Sequence, residues 1–253
     1  MRTKLLFFLL ATFASGISYS QKTVETYYDY KWRKCLVDDA RFYSIARNTD
    51  SGWYKADYFI NMKKLQMAGL YEDKENTIRN GTFYWFYPDG TLKVVGKYIH
   101  NKKEGVWLNY FQDKSLKDSL NYKDGSPTGI SLGWYDNGEA RDSLNVDSNG
   151  KGVYVSWFDN GNPSSAGKYI EFDKQQGRWQ YFHKNGKLSS LEIYDHDVLK
   201  DKNYFDGNGN PMMDTTSNDS DAKFAGAIGN GENICPKIYI SLPAMRSATT
   251  TRH

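Results

Sequence analysis

Three short motifs hold residues whose types and spacing could do chemistry. Residues 129–133 read Gly-Ile-Ser-Leu-Gly, the spacing of the nucleophile elbow, in which a sharp strand-to-helix turn exposes the serine hydroxyl. Residues 206–210 read Asp-Gly-Asn-Gly-Asn and resemble the start of a calcium-binding loop. Residues 195–197, Asp-His-Asp, offer three side chains that can ligate a metal ion. The corresponding functions would be acyl transfer, calcium binding and binding of another metal.

None of these motifs has the context that its chemistry needs. Ser131 follows a glycine by two residues in a strand-like segment, where similar segments of the chain carry aromatic residues. The calcium-like loop has Pro211 where the sixth position requires glycine and Ser217 where the twelfth requires glutamate. One histidine and two adjacent acids cannot close a metal site alone. We therefore predict a non-enzymatic protein without metal or cofactor, and the alternative is a serine hydrolase that uses Ser131.

The composition favours many short strands. The chain has 253 residues, of which 20 are Tyr, 13 Phe and 7 Trp, together with 22 Gly and 6 Pro. Aromatic side chains pack well on pleated sheets and glycines serve tight turns, whereas disordered chains are poor in aromatics.

The balance of 33 Lys and Arg against 30 Asp and Glu excludes a nucleic-acid partner and argues against strong membrane binding. Cys35 and Cys235 match no disulfide framework or metal spacing, and whether they pair is left open.

The first twenty residues have the pattern of an export signal. Arg2 and Lys4 precede an apolar run at residues 5–14, and small residues follow before Gln21. An apolar run of about ten residues is too short to span a bilayer. We predict that residues 1–20 are a signal peptide and that the mature protein is periplasmic, outer-membrane-associated or extracellular.

The body of the chain is an internal repeat. Five segments begin with a glycine and continue with aromatic and aliphatic residues: they start at Gly81, Gly105, Gly129, Gly152 and Gly177, at intervals of 24, 24, 23 and 25 residues. In four of them a second glycine follows nine residues later, at Gly90, Gly138, Gly161 and Gly186. A regular period of this length is the sequence signature of stacked supersecondary units.

Each repeat unit predicts a β-hairpin. A strand of about seven residues ends at Asp-Gly or Asn-Gly, the strongest short signal for a two-residue type I′ turn, and a second strand follows. Glycine suits the positive φ of such turns, so Gly90, Gly138, Gly161 and Gly186 are predicted structural turn residues. A lone hairpin is marginal in water, and the units must therefore stack. The predicted fold is all-β, a single elongated and twisted sheet of tandem hairpins.

Both faces of this sheet are apolar enough to pack, and the strand period of two leaves open which face is the core. One face carries most of the large aromatic residues, and its best candidates for contact with a partner are Trp85, Trp107, Tyr154, Trp179 and Tyr181. The alternative is that these side chains simply fill the core, because short hairpins need large side chains for cohesion. The third unit has Ser131 and Gly133 where others carry bulk, so we expect it to be weakly packed.

The ends of the repeat region are less regular. Residues 52–211 hold the recognisable units, and residues 21–51 are predicted to be a degenerate N-terminal repeat or cap. Residues 212–221 are rich in Ser, Thr, Asn and Asp and are predicted to be a polar linker. Residues 222–253 lack clear periodicity, so we expect an irregular, disordered tail.

These repeats resemble the bacterial variant of the MORN (membrane occupation and recognition nexus) repeat. The shared features are the starting glycine, the paired aromatics, the Asn-Gly turn and a closing tyrosine, found at Tyr98, Tyr122, Tyr169 and Tyr194. The resemblance covers residues 52–211. It implies hairpin sheets that serve as binding scaffolds, some of them near membranes or accessory to other domains.

A longer resemblance is to exported repeat proteins of Bacteroidetes-type bacteria. Residues 27–32, residues 64–69 and the hairpins carry it. Several such relatives continue into a TonB-like C-terminal domain, and residues 223–227 echo the opening of that domain. Too few residues follow for the domain to be intact, so no TonB function is predicted.

The predicted function is that of an exported, non-enzymatic scaffold that binds a protein through an aromatic-rich sheet surface. The alternative is a cell-envelope module that binds glycan or peptidoglycan, since aromatic platforms also stack on sugar rings. The two hypotheses predict different ligands, an unknown protein or an envelope glycan, for the same surface.

Overall fold

A computed structural model describes residues 23–212, which form one antiparallel sheet of 17 strands. The strands are β1 (Thr23–Tyr28), β2 (Phe42–Thr49), β3 (Gly52–Phe59), β4 (Lys64–Tyr71), β5 (Gly81–Phe86), β6 (Leu92–Ile99), β7 (Lys102–Tyr110), β8 (Leu116–Lys123), β9 (Ser126–Pro127), β10 (Gly129–Trp134), β11 (Ala140–Val146), β12 (Gly152–Trp157), β13 (Pro163–Ile170), β14 (Lys174–Phe182), β15 (Leu188–Asp195), β16 (Val198–Phe205) and β17 (Pro211–Met212). The one helical element in this part of the chain is a 3-10 turn, Val37–Asp39.

The spatial order of the strands follows the chain. Consecutive strands pair antiparallel from β1 to β8 and from β10 to β17, and the short β9 pairs back onto β8. The two stretches join where β10 pairs with β8. This open meander confirms the all-β prediction and the stacking of hairpins into one sheet. The predicted signal peptide, the tail and all of the linker beyond Met212 lie outside the described residues.

The turns inside the repeat units are three-residue loops, so the prediction of two-residue type I′ turns is wrong. In the first unit Gly90 N–H donates to the Tyr87 carbonyl at 2.8 Å, and Tyr87 N–H donates to the Thr91 carbonyl at 2.8 Å. Only Gly90, with φ +91°, is left-handed there, which defines a type I turn followed by a glycine bulge. Gly138, Gly161 and Gly186 repeat this geometry with φ +87°, +80° and +83°, which confirms the glycines as turn residues.

Two-residue turns of the primed type occur instead at the polar links between units. His100 and Asn101 have φ +48° and +66°, and they join Ile99 to its ladder partner Lys102. Asp124-Gly125 and His196-Asp197 are built in the same way. Type I′ turns place both central residues at positive φ, where Asn, Asp and Gly are the best tolerated. The link at residues 147–151 is an exception, because Gly150, with φ +77°, closes a glycine-bulge turn like those inside the units.

Side chains along the glycine-turn edge tie each unit to the next. Asn137 Nδ2 donates to the Asp159 carbonyl at 2.8 Å, and Asn160 Nδ2 donates to the Lys184 carbonyl at 2.9 Å. Asn185 continues the series to the Gly207 carbonyl at 2.7 Å. These asparagines precede the turn glycine, so a single residue both shapes its own turn and anchors the neighbouring one.

The large buried rings lie on one side of the sheet, which we call the inner face, where they cover glycines of the preceding strand. Val155 and Ala166, each 1% exposed, are buried on the opposite side. A Cβ added to Gly96 would lie 2.1 Å from the Trp107 ring, and one added to Gly167 would lie 2.1 Å from the Trp179 ring. Phe83 covers Gly69 in the same way. The missing side chain thus creates the space that the next unit's ring occupies, which couples adjacent units sterically.

Candidate functional site

Trp107 and Trp179, two of the five predicted contact residues, are core side chains. They are 4% and 1% exposed, so a partner cannot reach them in this structure, and their assignment to an accessible surface is corrected. Each indole Nε1–H donates to a backbone carbonyl at 3.2 Å, that of Lys97 for Trp107 and that of Lys168 for Trp179. Their burial follows from the underlying glycines, because the rings lie flat against the backbone of the preceding unit.

Trp85, Tyr154 and Tyr181 are half-buried members of the same ring stacks. The Trp85 centroid lies 5.8 Å from that of Trp107, and the centroids of Tyr154 and Tyr181 lie 6.0 and 6.1 Å from that of Trp179. Burial raises the pKa of the Tyr154 hydroxyl. All five predicted residues therefore lie on the inner face, and contact of the three half-buried rings with a partner stays a prediction.

The third unit interrupts these ring stacks with a charged cluster on the inner face. Arg141 lies between two carboxylates, with Nη2 at 2.6 Å from Asp118 Oδ1 and Nε at 2.6 Å from Asp142 Oδ2. Asn109 Nδ2 donates to Asp118 Oδ2 at 3.0 Å. Burial opposes the charge on Arg141, but the hydrogen bonds to Asp142 and Asp118 outweigh it and raise the pKa of the guanidinium.

Gly133 makes the space for this cluster. A Cβ at Gly133 would lie 2.4 Å from Arg141 Nη2 and 2.8 Å from Asp142 Oδ2. Sequence reasoning identified the small residue but missed the ion pairs, because Asp118 and Arg141 are 23 positions apart. The third unit, which was expected to be weakly packed, thus has polar contacts where the other units have aromatic ones.

Ser131 does not have the geometry of a nucleophile elbow. It lies within β10, is 8% exposed, and its hydroxyl oxygen accepts a hydrogen bond from Asn121 N–H at 3.3 Å. The three described histidines bond elsewhere. His100 Nε2 lies 3.1 Å from Glu72 Oε1, His183 Nε2 lies 3.0 Å from the Phe205 carbonyl, and His196 Nδ1 lies 2.8 Å from Asp195 Oδ1. A serine-reactive fluorophosphonate probe tests the hydrolase alternative directly.

The two motifs that resemble metal sites, residues 206–210 and 195–197, form ordinary turns in the structure. Asp206 Oδ1 accepts hydrogen bonds from the N–H groups of Asn208 and Asn210, both at 2.9 Å, in a turn closed by Gly209. Within residues 23–212 no group of three or more His, Cys, Asp or Glu side chains could hold a metal ion. In that same range no helix is long and apolar enough to cross a membrane.

The opposite side of the sheet, the outer face, presents exposed aliphatic side chains. Val106, Ile130 and Val153, which we call the outer stripe, are 56%, 59% and 39% exposed. Each directly follows the starting glycine of its unit, so they recur at the same place in three consecutive hairpins. Asn121 and Asn145 are the ladder partners of Val106 and Ile130. The aliphatic residue after each starting glycine is visible in the sequence, but the prediction favoured the other face because that face carries the largest aromatic rings.

A shallow depression of about 370 Å³ adjoins the C-terminal end of the outer stripe. Its lining residues combine amides, charged groups and apolar side chains; they include Asn145, Asp147, Lys151, Val153, Lys168 and Gln176. Four of these residues lie in register on neighbouring strands, because Asn145 pairs with Val153, Val153 with Lys168, and Lys168 with Gln176. The depression therefore presents amide and charged side chains beside apolar ones.

The first loop, residues 29–41, forms a compact cap at the N-terminal end of the sheet. Asp29 Oδ1 accepts hydrogen bonds from the N–H groups of Lys31 and Arg33 at 2.8 and 3.0 Å. Trp32 is held at φ +60° and stacks on Phe42 with a centroid distance of 4.3 Å. The loop also holds Cys35, whose thiol pKa is raised by burial and by the negative charge of Asp29. Cys235 lies outside the described residues, so a bond between the two is not tested.

Comparison with known families agrees with the hairpin geometry. The pattern of the MORN repeat variant matches residues 79–100 and 175–196. The first match spans β5 and β6 and the second spans β14 and β15, each with a glycine turn at its centre. No curated protein shows a significant match to the chain. The glycine-led units of regular period that stack as hairpins in one open sheet are consistent with a protein built from MORN repeats, and two of the units match the repeat variant directly.

Proposed function

We propose that the protein is an exported, non-enzymatic scaffold whose outer stripe binds a protein partner. The observation that carries the proposal is the exposure of Val106, Ile130 and Val153 at equivalent positions of three consecutive units. Exposed apolar residues scattered singly are ordinary on protein surfaces, and the proposal rests on their recurrence at one position of consecutive units, which sets three of them in a row. Repeat scaffolds present extended surfaces of this kind.

The geometry of the outer stripe suits an elongated protein surface. Equivalent residues of adjacent units are two strands apart, which corresponds to about 10 Å, so the three side chains cover about 20 Å. Asn121 and Asn145 offer amide donors and acceptors between them. The inner face is a poorer candidate, because its largest rings already pack against the protein's own glycines.

The charges around the outer stripe favour a partner with acidic groups. Lys168 is the ladder partner of Val153, and Lys97 is exposed in the unit that precedes Val106. Arg178 is exposed in the last unit, at the position that corresponds to Val106, Ile130 and Val153. Glu104 is the ladder partner of Lys97 and offsets its charge, so the excess of cations lies at the end with Lys168 and Arg178, where it would steer association with an acidic surface. The expected partner is a protein with an apolar ridge that has carboxylates at one end.

The export part of the proposal is supported by the sequence of residues 1–20, with its basic start, apolar run and small residues. The partner would then be a periplasmic, outer-membrane or extracellular protein. Fractionation of the native host with an antibody to the repeat region tests this part separately, and recovery of unprocessed protein in the cytoplasm would contradict it.

The binding part is tested by photo-crosslinking in the native host. A crosslinker is placed beside the stripe at Asn121, in the wild-type protein and in a variant with Val106→Asp, Ile130→Asp and Val153→Asp. We expect the variant to lose the crosslinked partner while retaining its circular dichroism spectrum. The matched control is Thr82→Asp, the equivalent exposed position of the first unit. Equal crosslinking by the triple variant would refute the outer stripe as the contact surface.

The second candidate function is glycan binding, and the depression at Asn145, Lys151 and Gln176 favours it. Amide and ammonium groups beside an apolar floor can bind a sugar that carries acidic groups. Sedimentation with purified cell-wall sacculi tests this candidate with the variants Asn145→Ala and Gln176→Ala. Reduced co-sedimentation of these variants, with normal behaviour of Asn121→Ala, would support it; absence of binding by the wild-type chain would eliminate it.

A further inference from the structure

A row of small and polar residues crosses the middle of the inner face. It runs through consecutive ladder partners on the neighbouring strands β7, β8, β10, β11 and β12, namely Asn109, Asp118, Gly133, Asp142 and Ser156. Neighbouring strands are spaced by about 4.8 Å, so this series, which we call the polar row, extends over about 20 Å. It therefore presents polar groups along a line rather than at a single point.

The polar row includes hydrogen-bonding groups that the protein does not use itself. The Arg141 guanidinium covers Gly133, with Nε bonded to Asp142 and Nη2 bonded to Asp118. Within residues 23–212, the Nη1 donors of Arg141 and the acceptors Asp142 Oδ1 and Asn109 Oδ1 have no partner. Solvent reaches this group, since the Arg141 and Asp142 side chains are 33% and 26% exposed. Unused donors and acceptors thus lie side by side on the inner face.

The charges of the polar row disfavour a strongly charged ligand. Asp118 and Asp142 contribute two negative charges and Arg141 one positive charge, so the group carries about one net negative charge. The negative sum repels a phosphate or carboxylate, and the guanidinium between the two aspartates repels an ammonium group. Asn109 and Ser156 are neutral. The polar row therefore suits an uncharged ligand that both donates and accepts hydrogen bonds.

Aromatic rings border the polar row at both ends. Half-buried Trp85 continues the same row two strands before Asn109, because both are ladder partners of Val94. At the other end, burial and then the negative charge of Asp142 raise the pKa of Tyr154, and a hydrogen bond with Ser156 opposes this shift. The Tyr154 side chain is therefore close to the end of the polar row. Polar groups between two aromatic borders are typical of sites that orient a ligand with apolar and polar surfaces.

We propose that the polar row binds a neutral glycan chain. Hydroxyl groups on adjacent carbons of a sugar each donate and accept hydrogen bonds, which matches the Arg141 donors beside the unused Asp142 acceptor. The apolar faces of the sugar rings pack on Trp85 and Tyr154. A protein partner fits this site less well, because protein contacts concentrate on large apolar anchors in dry pockets, whereas the polar row places charged and amide groups there.

This site is separate from those of the proposed function. The outer stripe lies on the outer face, and the depression at Asn145 and Gln176 adjoins it. The polar row lies on the inner face, so a glycan bound there leaves the outer stripe free for a protein. Glycan binding at the polar row therefore does not depend on whether the outer stripe binds a partner.

Isothermal titration calorimetry of the mature full chain, residues 21–253, tests the proposal. The probes are neutral oligosaccharides of glucose, mannose or N-acetylglucosamine, with polygalacturonate as the anionic probe and chitosan oligomers as the cationic probe. We expect the wild-type chain to bind a neutral probe in preference to both charged ones. Asp142→Ala and Asn109→Ala each remove an unused acceptor, and we expect each to weaken this binding roughly tenfold.

The matched control is Asp136→Ala, which removes an exposed carboxylate from the glycine turn of the same unit and is expected to leave the affinity unchanged. Circular dichroism verifies that each variant is folded, and Asn109→Ala carries the test if Asp142→Ala does not fold. Absence of binding to every neutral probe, preference for a charged probe, or unchanged affinity in the folded variants would overturn the proposal. Binding that Asn145→Ala abolishes and Asp142→Ala leaves intact would overturn it too, because the glycan would then occupy the depression.

Discussion

The junction between the first and second units and the junction leading to the third solve the same packing problem in opposite ways. In the first, Gly96 leaves space that the Trp107 ring fills completely. In the second, Leu120 occupies the position of that glycine, and Ser131 occupies the position of the ring. The second junction thus has the larger side chain at the first position and the smaller one at the second. The summed volume of the two side chains stays suitable for close packing.

The backbone pairing is also less extensive at the second junction than at the first. The ladder between β6 and β7 runs from Val94 to Ile99, whereas that between β10 and β8 is limited to Leu132 and Gly133. The charged cluster around Arg141 bridges the second junction instead. In a linear array, stability is close to a sum of unit and junction terms, so the junction of β8 with β10 is expected to be weaker than that of β6 with β7.

The largest expected effect is the loss of a core ring. Trp107→Ala removes a side chain that is 4% exposed, and we expect the free energy of unfolding to fall by about 3–5 kcal/mol. Ser131→Ala, the equivalent position of the third unit, should cost about 1 kcal/mol or less. Urea denaturation followed by tryptophan fluorescence and circular dichroism measures both. Similar losses for the two variants would show that the junctions do not differ in the way described.

The second-largest expected effect is the loss of stability when alanine replaces a glycine that leaves space for a neighbouring side chain. Gly96→Ala places a methyl group 2.1 Å from the buried Trp107 ring, which has no room to move, and we expect a loss of about 1–3 kcal/mol. Gly133→Ala meets Arg141 Nη2 at 2.4 Å, but that atom is the end of a flexible side chain. We therefore expect a smaller loss of stability for Gly133→Ala in the same urea experiment. A larger loss for Gly133→Ala than for Gly96→Ala would contradict the distinction.

The repeat architecture was predictable because it depends on local signals. The glycine period, the strand alternation and the turn glycines are all present within single units, and the sheet follows from stacking them. The choice of core face was predictable in principle, since Gly96-Lys-Tyr98 and Gly167-Lys-Tyr169 both precede a tryptophan of the next unit. A missing side chain on one strand indicates where the ring of the neighbouring strand lies.

Other features depend on geometry that the residue types do not specify. An Asp-Gly or Asn-Gly pair suits both a type I′ turn and a type I turn with a glycine bulge, and the register shift between Trp85 and Phe86 shows that the Asp89-Gly90 turn is of the second kind. The Arg141 cluster joins β8 to β11 across an intervening strand, so no window of sequence contains it. The outer stripe was visible as the residue after each starting glycine, but exposure could be assigned only once the core face was known.

A moderate effect is expected from removal of the cation in the third unit. Arg141→Met leaves Asp118, which is 9% exposed, without its guanidinium partner. Because the Arg141 side chain is itself 33% exposed, we expect a loss of about 1–2 kcal/mol, less than for a fully buried pair. The double variant with Asp118→Asn should recover part of this loss. Additive losses in a double-mutant cycle would show that the two side chains are not coupled.

The smallest expected effect is a difference in acid sensitivity between turns of the two regions. In the first unit, hydrogen bonds from the Thr91 hydroxyl and backbone N–H and from Gln112 lower the pKa of Asp89 to about 2. A carboxyl whose pKa is lower in the folded state stabilises the fold above its unfolded pKa of about 4, and this contribution is lost as the pH falls through about 2. The third unit has the neutral Asn137 at the same position and is expected to lack this dependence. Asp89→Asn should therefore flatten the decline of Tm between pH 4 and pH 2. Asn137→Asp should steepen that decline, because the introduced carboxylate would accept the hydrogen bond from Glu139 N–H that Asn137 Oδ1 accepts at 3.0 Å. Parallel Tm profiles for both variants and the wild-type protein would show that the turn carboxylates do not contribute to acid stability.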